Sequence, residues 1–145
     1  MKQHQSPEGK SDDWITPEWI LAPLGAFDLD PCPYPWNGVD GLELEWEGRV
    51  WLNPPFNRYE RPKWMRKMQQ HGNGIMLIPA ATETKAFYDH VWRHADAVCF
   101  IKGRPHFNRK DGRPAKYNCG TAICLVAYGK FNAVVLRKAN LGWTI

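Results

Sequence analysis

The four residues Asn53-Pro54-Pro55-Phe56 carry the strongest chemical content in this chain. They follow the apolar run "RVWL" (Arg49 to Leu52), so an amide, a stiff turn and an aromatic ring are delivered together at the end of an expected strand. An amino group conjugated to a heteroaromatic ring, such as N6 of adenine, is a poor nucleophile because its lone pair is delocalised. Two acceptors aimed at its two N–H bonds stabilise the charge that develops when it attacks an electrophile. The side-chain oxygen of Asn53 can supply one, and the carbonyl of the following proline the other. The prolines fix the backbone, so this placement costs little ordering at the moment of reaction. Phe56 can stack on the base. A base inside a duplex is out of reach of such a turn and must be flipped out to meet it. The competing reading is a plain strand end with a proline turn.

The elements that must position this turn follow from the apolar pattern. In "DDWITPEWILAPLG", Thr16 is expected as an N-cap, Pro17 as the first helical residue and Gly25 as the stop. "AFDLDP" alternates apolar and acidic residues, as a short strand ending at Asp28 and Asp30 would. Residues 32 to 48 are rich in Pro and Gly and read as loop. "RPKWMRKMQQHG" has helical spacing closed by Gly72, and "GIMLIPA" is a strand covered on both faces. "TETKAFYDHVWRHA" reads as a helix with Phe87 and Val91 inward, "AVCFIKG" as another buried strand, and "TAICLVAYGKFNAVVLRKA" as two strands around "YGKFN". Alternating strands and helices predict an α/β sheet with helices on both faces, in one minimal domain over residues 14–145 after a disordered segment over 1–13. Ligand sites in such sheets gather at the carboxyl ends of the strands. Asp28 and Asp30, Asn53 to Phe56, and the loop after Ile101 should all sit there.

Charge is unevenly spread. The segment Lys102 to Asn118 holds Lys102, Arg104, Arg109, Lys110, Arg113 and Lys116 against Asp111 alone, in a chain whose net charge is +4. "RYERPKWMRK" adds Arg58, Arg61, Lys63, Arg66 and Lys67 against Glu60. Two basic segments point to a polyanion partner, with solvated loops as the alternative. Cys32, Cys99, Cys119 and Cys124 show no metal-ligand spacing, and His90 and His94 lack the glutamate of a zinc helix, so no metal is expected. No apolar run approaches the ~20 residues of a membrane span. The N-terminus has no signal-peptide core, which predicts a cytoplasmic protein.

Six segments in order, "DDWITPEWI", "FDLDPC", "DGLELEWEGRVWLNPPF", "LIPAATETKAFYDHV", "FIKGRPHF" and "TAICLVAY", resemble the phage and prophage DNA N6-adenine methyltransferase family (Dam-type) from about Trp14 to about Tyr128. The resemblance implies a Rossmann-like, S-adenosyl-L-methionine-dependent methyltransferase sheet acting on adenine N6 in double-stranded DNA, as a monomer or homodimer in a bacterial host cell. It makes Asn53, Pro54, Pro55 and Phe56 the catalytic motif. Thr16 and Pro17 match a Thr-Pro near the methionine end of the cofactor. Asp30, with Pro31 after it, matches a strand-end aspartate at the cofactor, and Asp40 an acid ahead of the catalytic strand; a solvated loop acid is the other reading of Asp40. Arg58, Lys85, Lys102, Arg104, Phe107, Arg109, Lys110 and Arg113 are the expected DNA contacts. Lys85 could equally cap the structure, and Phe107 could equally pack in the core. "FDLDPCPYP" departs from many methyltransferases in having prolines where they have a glycine-rich cofactor loop.

Several rivals share parts of this pattern. Cytosine N4 methylation needs the same two acceptors. Cytosine C5 methylation needs a nucleophilic cysteine after a proline, and Pro31-Cys32 follows the first strand rather than the catalytic one. Glutamine methylation in proteins also uses an Asn-Pro-Pro-aromatic turn. A DNA-binding protein that kept the fold with weak catalysis is the reading of a different class. Whether methylation would serve against restriction or as another mark is left open.

Overall fold

The computed structural model describes residues 15–107 and 120–145. The segment 1–13, expected to be disordered, and the expected DNA contacts Arg109, Lys110 and Arg113 lie outside the described residues. Five strands form one mixed sheet: β1 (Val50–Leu52), β2 (Gly74–Pro79), β3 (Ala97–Ile101), β4 (Ile123–Tyr128) and β5 (Gly142–Thr144), in the order β1-β2-β4-β3-β5. β1 runs parallel to β2, and the remaining neighbours pair antiparallel. The expected "AFDLDP" strand is reduced to a single parallel bridge, Leu29 to Val50, on the outer side of β1. Leu29, β1, β2 and β3 therefore point the same way, with β4 inserted against them.

Alternation along the strands divides the core into two layers. Val50, Leu52, Met76, Ile78, Cys124 and Val126 face one side; Trp51, Ile75, Leu77, Cys99, Leu125 and Ala127 face the other. The first side is covered by α2 (Arg61–His71) and by α3 (Lys85–Phe87), which runs on into a π-helical turn over Tyr88–Trp92. Trp64, Met65 and Met68 of α2 are buried there, and burying a side chain of this kind contributes on the order of 1.5–3 kcal/mol before its ordering cost. The second side is covered by α1 (Glu18–Leu21) and α4 (Lys130–Ala139) through Ile20, Leu24, Ala133 and Leu136. Helices on both faces of an α/β sheet were expected and are found.

Two expectations about local structure need correction. "YGKFNAVVLRKA" is not a turn and a second strand: Gly129, at φ 97, opens α4 instead. The buried positions Asn132, Ala133 and Leu136 recur at helical spacing, and Asn140 closes the helix in the left-handed region. Asn132 is fully buried and locks the helix in place by accepting from Arg49 Nε at 2.6 Å and donating to Tyr128 O and Asn73 Oδ1, each at 2.8 Å. The second correction concerns α1. Its cap position is Pro17, in extended conformation with ψ 150 and no side-chain cap, so Thr16 does not cap the helix. Gly25, at φ 82, does end this segment.

Candidate active site

Because Leu29, β1, β2 and β3 share a direction, their carboxyl ends share one edge of the sheet. Asp30 leaves the first, Asn53 the second, Ala80 the third and Lys102 the fourth. With neighbouring strands about 4.8 Å apart, Asp30 and Asn53 are adjacent, and Lys102 leaves β3 three strand spacings from β1. The chain closes that gap itself. Residues 102–107 run back until the Phe107 ring meets Phe56 edge-on, with centroids 6.5 Å apart at 71°.

Asn53 is buried, and its Nδ2 donates to Thr16 Oγ1 at 3.1 Å, across a separation of 37 residues. Thr16 is itself buried. The alternation that puts Trp51 on the α1 side of the sheet puts Asn53 there too, so the Thr16 hydroxyl at the entry to α1 meets the amide. In this arrangement the amide oxygen is left for another partner. Pro54 and Pro55 are buried and Phe56 half-buried. The turn is held from its far side as well: Arg61 Nη1 donates to Phe56 O at 2.9 Å, while Asn57 Oδ1 accepts from Tyr59 N at 2.6 Å and Glu60 N at 3.1 Å. Asn57 thereby caps the turn that starts α2, so the helix and the Asn-Pro-Pro-Phe turn are one unit.

A cleft of about 120 Å³ opens beside Asn53, with Thr16, Leu21, Asp30, Cys32, Tyr34 and Trp51 in its walls. Asp30 Oδ1 accepts from Cys32 N at 3.0 Å. The walls strip water from this carboxylate and push its pKa up to about 6, opposed by that N–H, although the residue keeps an open surface at the mouth. Cys32 is buried, and burial together with the charges of Asp30 and Asp40 pushes its thiol far up, so it stays protonated. A protonated, buried thiol does not serve as the nucleophile that cytosine C5 methylation needs. The 31–41 loop closes on itself without a glycine-rich run. Gly41 lies against Pro31, where a Cβ would fall 1.9 Å from the Pro31 carbonyl oxygen, and Trp46 Nε1 donates to Gly41 O at 2.8 Å.

The other expected site residues divide. Pro17 and Pro31 are buried beside the cleft residues. Asp40 caps the 3-10 turn Gly41–Glu43, its carboxylate accepting from Leu42 N at 3.0 Å. Arg58 is exposed and stacks over the Tyr59 ring at 5.0 Å. Lys85 is exposed and pairs with Asp89 at 2.5 Å, while the cap of α3 comes from Thr84, which accepts from Phe87 N at 3.2 Å. Lys102 is exposed; so is Arg104, whose Nη1 donates to Gly120 O at 3.4 Å. Of the two readings of Phe107, core packing is what the structure shows: the residue is 2% exposed. The sequence points to neither Trp51 nor Tyr34 as site residues, and to Arg61 only as part of a basic segment and not as the clamp on Phe56. Trp51 was legible, since it stands two positions before Asn53 on a strand; the other two depend on chain reversals that no periodicity encodes.

Among the described residues no helix is long and apolar enough to cross a membrane. A family model described as DNA N-6-adenine-methyltransferase (Dam) matches residues 3–134. No curated protein and no solved structure matches the chain.

Proposed function

The chain belongs to the DNA N-6-adenine-methyltransferase (Dam) family, adenine-specific DNA methyltransferases, and from that premise we propose that it transfers a methyl group from S-adenosyl-L-methionine to N6 of an adenine flipped out of duplex DNA into the Asn53–Phe56 turn. The observation that carries this reading is the buried Asn53 amide, clamped by Thr16 between the Asp30 cleft and the Phe56 ring. In the same reading residues 14–145 form the methyltransferase domain, with a shortened Rossmann-like sheet. Its support is the common direction of Leu29, β1, β2 and β3, with the cleft at their carboxyl ends.

The cleft walls suit the cationic end of the cofactor. They offer a carboxylate, an amide, a hydroxyl and aromatic rings, with no Lys or Arg among the residues that line it. A volume of about 120 Å³ is below the ~300 Å³ of sites that enclose a whole drug-sized ligand. It accounts for one end of the cofactor only. Asp30, with Pro17 at the entry to α1 beside it, would hold that end, and the cofactor when bound supplies the electrophilic methyl group.

Asn53 and the Pro54 carbonyl accept the two N–H bonds of the adenine amino group, drawing electron density onto N6. Phe56 stacks on the base, with Phe107 behind it as a buried support. Arg58, Lys102 and Arg104 lie exposed around the carboxyl edge and hold the phosphate backbone; Arg109, Lys110 and Arg113 extend the same basic segment. The test is methyl-labelled S-adenosyl-L-methionine with unmethylated duplex DNA, followed by nucleoside analysis. Label on N6-methyladenine, abolished by Asn53→Ala in a folded variant that still binds DNA, is the expected result. Turnover retained by Asn53→Ala removes the central claim, and label on N4-methylcytosine keeps the mechanism while moving the base.

A further inference from the structure

Away from the cofactor cleft, a larger groove of about 510 Å³ runs beside α2, with Lys63, Arg66, Lys67, Gln70 and His71 on one wall and Trp46 on the other. These five residues form a stripe at helical spacing on the side of α2 opposite Trp64, Met65 and Met68. Lys63 and Lys67 stand four apart, where like charges destabilise a helix by a few tenths of a kcal/mol. Concentrating cations on one face therefore works against the helix and favours an anion beside it. Lys67 is already committed, its Nζ donating to Leu42 O at 2.8 Å and Leu44 O at 2.6 Å. It holds the wall of the groove in place. Lys63 is exposed and, among the described residues, pairs with Glu60 at 3.5 Å. Arg66 and Gln70 are exposed and have no hydrogen-bond or ionic partner among the described residues. Glu43, Glu45 and Glu47 alternate with the inward Leu42, Leu44 and Trp46 and do not line the groove.

We infer that this groove is a second, backbone-holding contact for the DNA substrate, in which Lys63, Arg66 and Gln70 bind phosphodiester oxygens of the strand flanking the target adenine. The inference rests on the proposed reaction for the identity of the polyanion. The geometry supports it in two ways. α2 begins where Asn57 and Arg61 fix the Asn-Pro-Pro-Phe turn, so Lys63, at the start of the groove, stands two residues from the Arg61 that holds Phe56. Lys63 to Gln70 extend about 10 Å along α2, close to the axial rise of three nucleotides of one strand.

The experiment measures equilibrium binding of a DNA duplex by the parent and by a Lys63→Gln/Arg66→Gln double variant between 50 and 200 mM salt. Both positions are exposed and glutamine is a good helix former, so the fold should survive; a circular-dichroism melt checks it. Losing two phosphate contacts should make the slope of log K against log salt shallower by about 1.8, so that across this range the variant loses about 12-fold less affinity than the parent. An unchanged slope overturns the inference, and does so alone if the parent methylates DNA. A shallower slope in a parent that transfers no methyl group sustains the groove and sinks the reaction. A parent that binds no DNA overturns both.

Discussion

Thr16→Val tests whether the amide of Asn53 works because it is held or only because it is present. Valine keeps the volume and removes the acceptor that takes the Nδ2–H at 3.1 Å. Asn53 and Thr16 are both buried, at 6% and 8% exposure, so water is poorly placed to substitute. A buried donor that loses its partner costs about 1–3 kcal/mol. The side chain escapes that cost by turning away, which lowers the population of the orientation that presents its oxygen to the adenine amino group. At about 1.4 kcal/mol per tenfold, kcat should fall roughly 5- to 150-fold. KM for the methyl donor should move little, and Thr16→Ser, which restores the hydroxyl, should recover most of the rate. Single-turnover methyl transfer to a duplex, with each substrate varied in turn, measures all of this. If Thr16→Val keeps kcat within about twofold and weakens only donor binding, Thr16 is a cofactor contact and not the clamp of the catalytic amide.

Two further outcomes follow from the cleft. Gly41→Ala puts a Cβ 1.9 Å from the Pro31 carbonyl oxygen, so the 31–41 loop must shift. The expected cost is about 1–3 kcal/mol as for other overpacking, seen as a lowered Tm and weakened donor binding, and an unchanged Tm would show that the loop gives way freely. Asp30 has a pKa raised to about 6, so its carboxylate gains a proton as pH falls through that value and the cleft loses its charge. Affinity for a cationic donor should then decline below pH 6 in the parent and stay flat in Asp30→Asn; the same decline in both would place the titrating group elsewhere. For stability the sign is the reverse of the usual paired carboxylate. The folded state keeps this proton above the pH at which the unfolded chain releases it, so the contribution of Asp30 becomes less favourable as pH rises from about 4 to about 6.

The sheet was legible because buried strands announce themselves. "GIMLIPA" and "AVCFIKG" are apolar throughout, and they became strands lined on both faces. The stretch after Tyr128 was not legible in the same way. "FNAVVL" is rich in β-branched and aromatic residues, and over six positions a strand and a helix bury similar numbers of them. In the helix, the buried amide of Asn132 joins Arg49, Asn73 and Tyr128 from three other segments. Such a network is invisible until the segments are in place.

The site divides along the same line. Asn53 to Phe56 could be read because the turn is contiguous and its chemistry is carried by residue type. The partners that give it geometry could not, since each comes from elsewhere: Thr16 from 37 residues upstream, Phe107 from beyond β3, Arg61 from the first turn of α2. Thr16 shows how a local rule can point at the right residue for the wrong reason. Threonine before proline is a good helix cap by propensity, yet Pro17 takes the cap position and frees the hydroxyl to meet Asn53. A cap bond and an amide clamp cannot both use the same oxygen at full strength, so forgoing the cap at α1 is consistent with the hydroxyl being needed in the cleft. The prolines of "FDLDPCPYP" make the same point in the loop beside the cleft. Where a glycine-rich turn would let the backbone come close to a ligand, this loop has Pro31, and its glycine at position 41 instead lets the loop pack on itself, against the Pro31 carbonyl.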